Sequence, residues 1–273
     1  MHRVAALLAV PHVRRLLSEL ARVELIDRSL ALGAQALLAL IPLLMVTGAF
    51  LPDAMGSELL EQVRDLMGVR GDTLAPLRSA AVIDERPTEV GLLSLLVSLI
   101  SATSFSRAMQ RMYARVWELP TYRGLGAMRG SLVWIVGLVV MLQVTALLLG
   151  SMGGIPLDGL VRLIVQLTVN VGLWWWTARL LLGGRVSWLE LLPGAVVCGA
   201  SVVVLSRMSS VFMPRYASVN ADQFGPLGVV FSVASWLVLL GGVLVLSSVV
   251  GRMLAEASGL AGESARAAAG GDD

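Results

Sequence analysis

The sequence predicts an all-α integral membrane bundle of about six transmembrane helices, preceded by an interfacial helix and with both termini cytoplasmic. Three observations predict it. Of 273 residues, 56% are hydrophobic and 15% charged, and mean hydropathy is +0.80, more apolar surface than one water-soluble core of this size needs. The surplus is gathered into six stretches, most of them near the roughly 20 residues that a helix needs to cross about 30 Å of hydrocarbon. The arginines alternate in step with those stretches.

The stretches are 30–51, 90–104, 132–151, 161–182, 189–213 and 227–250. Residues 1–29 form an interfacial segment, 30–251 the membrane domain with an external loop over 52–89, and 252–273 a tail of Ala, Gly, Ser and acidic residues. That tail lacks the apolar area to offset its ordering entropy and reads as disordered in the cytoplasm.

The N-terminal apolar run 4–10 is at the lower limit for a signal-peptide core. Pro11 and Arg14-Arg15 follow it in place of a small-residue cleavage site, so it is expected to be retained. From residue 12 to 28, Val13, Leu16, Leu17, Leu20 and Val23 recur at helical spacing opposite Arg14, Arg15, Glu19 and Arg22. Such a helix lies either on the membrane surface or packed against a cytoplasmic loop.

In the first span Pro42 removes a backbone donor and is expected to kink the helix, freeing a carbonyl near Leu38. The external loop contains an amphipathic pattern over 57–67 closed by Gly68, which reads as a small cap. The second stretch is short and Ser-rich, so it either spans with help from the interface or is re-entrant or tilted. Its Gly91, Ser94, Ser98 and Ser101 share one face, as do Gly228, Ser232, Ser235 and Gly242 of the sixth, a pattern that allows close helix approach.

Arg107, Arg111 and Arg115 follow the second stretch at four-residue spacing, interleaved with Met112, Tyr113, Val116 and Trp117. A basic strip beside a span meets anionic headgroups first, at about 1 kcal/mol per Arg near the surface. Membrane lipids at the cytoplasmic face are therefore the expected partners, and nucleic acid is not. Gly124 to Gly130 has the wrong spacing for a dinucleotide loop, and no strand precedes it; it reads as a connector.

In the fourth stretch Arg162, Gln166, Asn170 and Thr177 fall at about −40°, 0°, 40° and 20° around an α-helix, one polar stripe entering from the outer face. It either lines a wet cavity, with Gln35 and Gln143 as further polar positions, or hydrogen-bonds to Gln143 and Thr145 for packing. Trp174, Trp175 and Trp176 lie deeper than an aromatic belt would put them, and the sequence offers no account of them.

Several chemistries lack their residues. Cys198 sits inside the fifth stretch, and the two histidines, His2 and His12, are both N-terminal, so there is no metal-ligand cluster. All 21 basic residues are arginine, so neither a phosphate-loop lysine nor a Schiff-base lysine exists. Asp158, Glu190 and Asp222 stand at stretch ends without an acid/base partner. No catalytic residue, cofactor or metal is expected. The arginine count sets the orientation: fourteen fall on the side of the termini and seven, including Arg207 and Arg215, on the other, so the positive-inside rule puts both termini in the cytoplasm.

Four motifs stand in order: GAQALLALIP over 33–42, SATSFSRAMQRMYARVW over 101–117, LPGA over 192–195, and Tyr216 followed by FGPLG over 224–228 and Trp236. In these the chain resembles the YihY/virulence factor BrkB family of bacterial membrane proteins, from about residue 23 to 252. It departs in having Gln35 where the family often has Tyr, and Leu246-Ser247-Ser248 where Gly-Ala-Glu commonly ends the last span. The resemblance implies a six-span inner or plasma membrane protein; the polar stripe, the kinked first span and the inner arginine strip point to one that moves a lipid or other amphiphilic envelope component. The alternative is a structural subunit whose protein partner is a second copy or another envelope protein. Nothing in these residues supports the older label ribonuclease BN.

Overall fold

The computed structural model describes residues 11–50, 87–121, 126, 129–138, 140–141 and 159–259. The run 4–10, the helix expected over 57–67, Gln143, Thr145 and the tail beyond residue 259 lie outside the described residues, as do the side chains of Pro42 and Arg162. Seven helices, and no strand, occur among the described residues: α1 (Pro11–Val23), α2 (Leu25–Phe50), α3 (Pro87–Val116), α4 (Arg129–Leu138), α5 (Gly159–Leu181), α6 (Trp188–Phe224) and α7 (Pro226–Ala257).

Where the stretches fall within the described residues, each lies on one of α2 to α7; of the third, 132–151, α4 carries 132–138. Two of these helices, α6 and α7, are long and apolar enough to cross a membrane by length and composition. The second stretch, left open as a span or a re-entrant piece, lies on a helix of 30 residues that continues unbroken through the arginine strip. At 1.5 Å per residue α3 is about 45 Å long. Helix α2 likewise runs through Pro42 without interruption.

Helix α1 docks on the bundle. Its Val23 is fully buried, and Leu16 and Leu20 pack on the main core, against the ends of α7, α3 and α2. The apolar side of the amphipathic pattern thus packs on the helix bundle. A single residue, Glu24, separates α1 from α2 in a left-handed conformation (φ 59°), which turns the chain from the docked helix into the first apolar one.

The packing order differs from chain order. Helix α2 lies between α3 and α7, α7 between α2 and α6, and α6 against α5. Helix α4 bridges α3 and α5: the Trp134 ring meets Phe105 at 5.9 Å, and its Nε1–H donates to Thr177 at 3.3 Å. The six helices thus close a ring. Helices α6 and α7 also touch backbone to backbone, where a Cβ on Gly251 would lie 2.1 Å from the Gly194 Cα.

The small-residue face expected on the last helix is divided between partners. Gly228 packs against the Asn220 carbonyl, and Ser232 Oγ accepts from Asn220 Nδ2 at 2.9 Å, both toward α6. Gly242 instead faces Ser29 of α2, and Ser235 is exposed.

Candidate functional site

The structure divides the expected polar stripe. Thr177 is buried and accepts the Trp134 indole N–H, so its hydroxyl serves packing between α5 and α4. Asn170 donates through Nδ2 to the Gln166 carbonyl at 2.9 Å, one turn back on the same helix. The Gln166 amide oxygen turns to α6 and accepts from Arg207 Nη2 at 3.2 Å. Gln35 is not joined to this set: α2 packs on α3 and α7, and the Gln35 Oε1 is buried without a partner.

Arg207 was not among the residues the sequence singled out. Its signal was present, as an arginine inside an apolar stretch, but counting arginines by loop absorbed it into the outer group.

Arg107, Arg111 and Arg115 are exposed along α3, while Met112, Tyr113 and Val116 beside them are buried. The alternation splits α3 into a basic outer edge and an apolar inner one, as the spacing predicts. Arg115 also donates to the Arg22 carbonyl at 3.3 Å.

At this end of the bundle an ionic cluster joins three elements. Glu118, just past α3 in a left-handed conformation (φ 54°), accepts from Arg252 of α7 at 2.9 Å and pairs with Arg22 of α1 at 3.4 Å. Arg252 holds Glu256 at 2.8 Å, and Glu256 pairs in turn with Arg15. Arg22 also holds Glu19 at 2.6 Å and donates to the Arg115 carbonyl at 3.1 Å, while Arg252 donates to that of Val116. Two guanidiniums thereby satisfy carbonyls that the end of α3 leaves open.

The electrostatics follow from this geometry. The hydrogen bond from Arg252, then its charge, hold the Glu118 carboxyl below the usual carboxylate range. Burial works against the charge of Arg252, but Glu118 and Glu256 outweigh it and raise its affinity for the proton. Arg185 ties the α5–α6 turn to the same end by donating to the Pro120 carbonyl at 2.8 Å. Arginines of the larger sequence group are thus gathered in space.

The tryptophan triple now has an account. Successive residues on a helix point about 100° apart, and each ring wedges α5 against a different neighbour. Trp176 fills the space left by Gly137 of α4. Trp175 donates to the Trp188 carbonyl at 2.7 Å and meets its ring edge-on at 5.1 Å, level with the start of α6. Trp174 lines a cavity of about 20 Å³, with Tyr113, Cys198 and Ser248 among the other walls. That volume holds about one water. The Trp174 Nε1–H is buried without a partner.

No group of His, Cys, Asp or Glu arranged to hold a metal occurs among the described residues. A family model described as virulence factor BrkB matches residues 16–271. No curated protein and no solved structure matches the chain.

Proposed function

The chain belongs to the virulence factor BrkB family of membrane proteins, and from that premise we propose that it carries a lipid or other amphiphilic envelope component across the bacterial cytoplasmic membrane. In this reading all six apolar stretches span, both termini are cytoplasmic, and the chain does no covalent chemistry. The end that gathers Arg15, Arg22, Arg115, Arg185 and Arg252 is the inner one, in keeping with the positive-inside rule. Arg107, Arg111 and Arg115 then meet anionic headgroups there.

The observation that carries transport is a set of buried polar atoms without partners among the described residues: Trp174 Nε1, Gln35 Oε1, Ser106 Oγ and Arg28 Nε. Buried polar groups are nearly always satisfied, because leaving one unpaired costs about 1–3 kcal/mol. Such atoms among apolar helices, one of them on a residue that lines the cavity, favour an interior that water or a polar headgroup visits. The cavity beside Trp174 holds about one water, so in this reading a headgroup passes only when the helices part.

The test is a vesicle assay. The full chain, reconstituted with phosphatidylglycerol bearing a fluorophore on one acyl chain, is expected to expose inner-leaflet probe to an added membrane-impermeant quencher. A Gln35→Leu/Trp174→Phe variant is expected to slow that exposure. Wild-type vesicles that protect the probe as well as protein-free ones overturn the proposal.

One observation favours a structural subunit instead: Thr177 is satisfied by the Trp134 indole of a neighbouring helix, as a polar residue that merely holds helices together would be. A stable stoichiometric partner, or a second copy, recovered with an inactive wild type would support that reading.

A further inference from the structure

Arg207 stands where an unpaired cation is costly. It lies 19 residues beyond Trp188 on α6, a rise of about 28 Å, so with Trp188 at the inner headgroup layer it comes near the far limit of a 30 Å hydrocarbon core. It is exposed, and its exposed neighbours Val204, Met208, Val211 and Phe212 form an apolar, acyl-facing surface. Among the described residues no carboxylate pairs with it. Among the described residues the guanidinium makes one hydrogen bond, to Gln166 Oε1 at 3.2 Å, a neutral contact that leaves most of its five N–H donors open.

A guanidinium on a lipid-facing surface near the interface reaches outward to the headgroups, and its planar fork matches two oxygens of a phosphate. The Asn170 bond to the Gln166 carbonyl and the Gln166 bond to Arg207 link the guanidinium to α5. Arg215, also exposed and about 12 Å further along α6, lies at the outer headgroup or water level.

We propose that Arg207, oriented by Gln166, is a binding site for the phosphate of an anionic phospholipid in the outer leaflet. The site rests on the six-span orientation proposed above and not on transport. It marks the groove between α5 and α6 as the place where a lipid headgroup is held at the far side of the membrane.

Native mass spectrometry of the full chain released from detergent tests it, with phosphatidylglycerol and phosphatidylcholine offered in turn. Wild type is expected to retain phosphatidylglycerol in preference. R207Q is expected to lose about tenfold in affinity, the order of one charge-assisted contact, and R207K to lose less because it keeps the charge without the fork. Equal retention by wild type and R207Q overturns the site. If R207Q does not fold, wild type decides: no preference over phosphatidylcholine overturns it. Displacement of the lipid by millimolar inorganic phosphate would make this a free-anion site and overturn the lipid assignment. A flat vesicle assay with lipid retained at Arg207 sinks transport while sustaining the site.

Discussion

Arg252 and Glu118, 134 residues apart, meet at 2.9 Å and bring the end of α7 to the end of α3. Arg22 of α1 reaches the same carboxylate at 3.4 Å, so one glutamate holds the docked helix and the last helix together. Glu118 occupies a left-handed backbone conformation, which costs a non-glycine residue about 1–2 kcal/mol; the two arginines help to offset that strain.

Glu118→Gln and Arg252→Gln are each expected to lower thermal stability modestly. Exposed ion pairs couple by about 0.2–1 kcal/mol, and Glu118 is more than half exposed. In a double-mutant cycle followed by the thermal midpoint in detergent, the two losses should sum to more than the loss in the double variant. Strict additivity would show that the pair contributes nothing.

The same contact sets a pH dependence. Because the folded carboxyl of Glu118 titrates below its ordinary range, its stabilisation is complete above the ordinary carboxylate pKa of about 4 and disappears as pH falls through the lower folded value. Amide hydrogen exchange over residues 11–23 should be insensitive to this group between pH 5 and 8 and rise below about pH 4, beyond the intrinsic rate change. In Glu118→Gln that acid-dependent rise should be absent.

Much of this architecture was legible in the sequence because its signals were periodic. The apolar stretches and the amphipathic run from Val13 to Val23 place seven helices, and the spacing of Arg107, Arg111 and Arg115 puts them on one exposed edge. What could not be read was pairing across the fold. Nothing local to Glu118 announces Arg252, and nothing in Gln166 says that its partner is Arg207 rather than a residue of the third stretch. The Trp174–Trp176 run defeated the belt rule because its neighbours, Gly137, the Trp188 carbonyl and the cavity wall, come from four other helices.

Glycine substitutions separate backbone contact from mere proximity. A methyl on Gly251 would lie 2.1 Å from the Gly194 Cα, backbone that can only yield if α6 and α7 part, whereas on Gly242 it would stand 3.4 Å from the Ser29 hydroxyl. Gly251→Ala is therefore expected to cost about 1–3 kcal/mol, as overpacked cores do, and Gly242→Ala to stay within about 0.5 kcal/mol. Equal thermal midpoints for the two variants would mean that the helices do not touch there.

Thr177 tests whether the polar stripe is structural. Thr177→Val keeps the shape but leaves the buried Trp134 Nε1–H without its acceptor. The expected loss is about 1 kcal/mol, within the range for interhelical hydrogen bonds in membranes. Vesicle transport should be unchanged once the protein is folded; a variant that folds normally but stops transport would return Thr177 to the pathway.

The arginine strip makes a prediction opposite in place to that of Arg207. Arg107, Arg111 and Arg115 are exposed along one edge of α3, and the first two have no ion pair among the described residues. Each arginine near an anionic surface contributes about 1 kcal/mol, so replacing all three by Gln should weaken preferential retention of anionic lipid at that end by about 3 kcal/mol, roughly 100-fold. The strip is a row of solvated charges, so raising salt from about 0.05 to 0.5 M should erase most of the difference. Lipid held by a partly enclosed site resists salt better. Retention that is unchanged in the triple variant would mean that the strip meets a protein partner or water instead of headgroups.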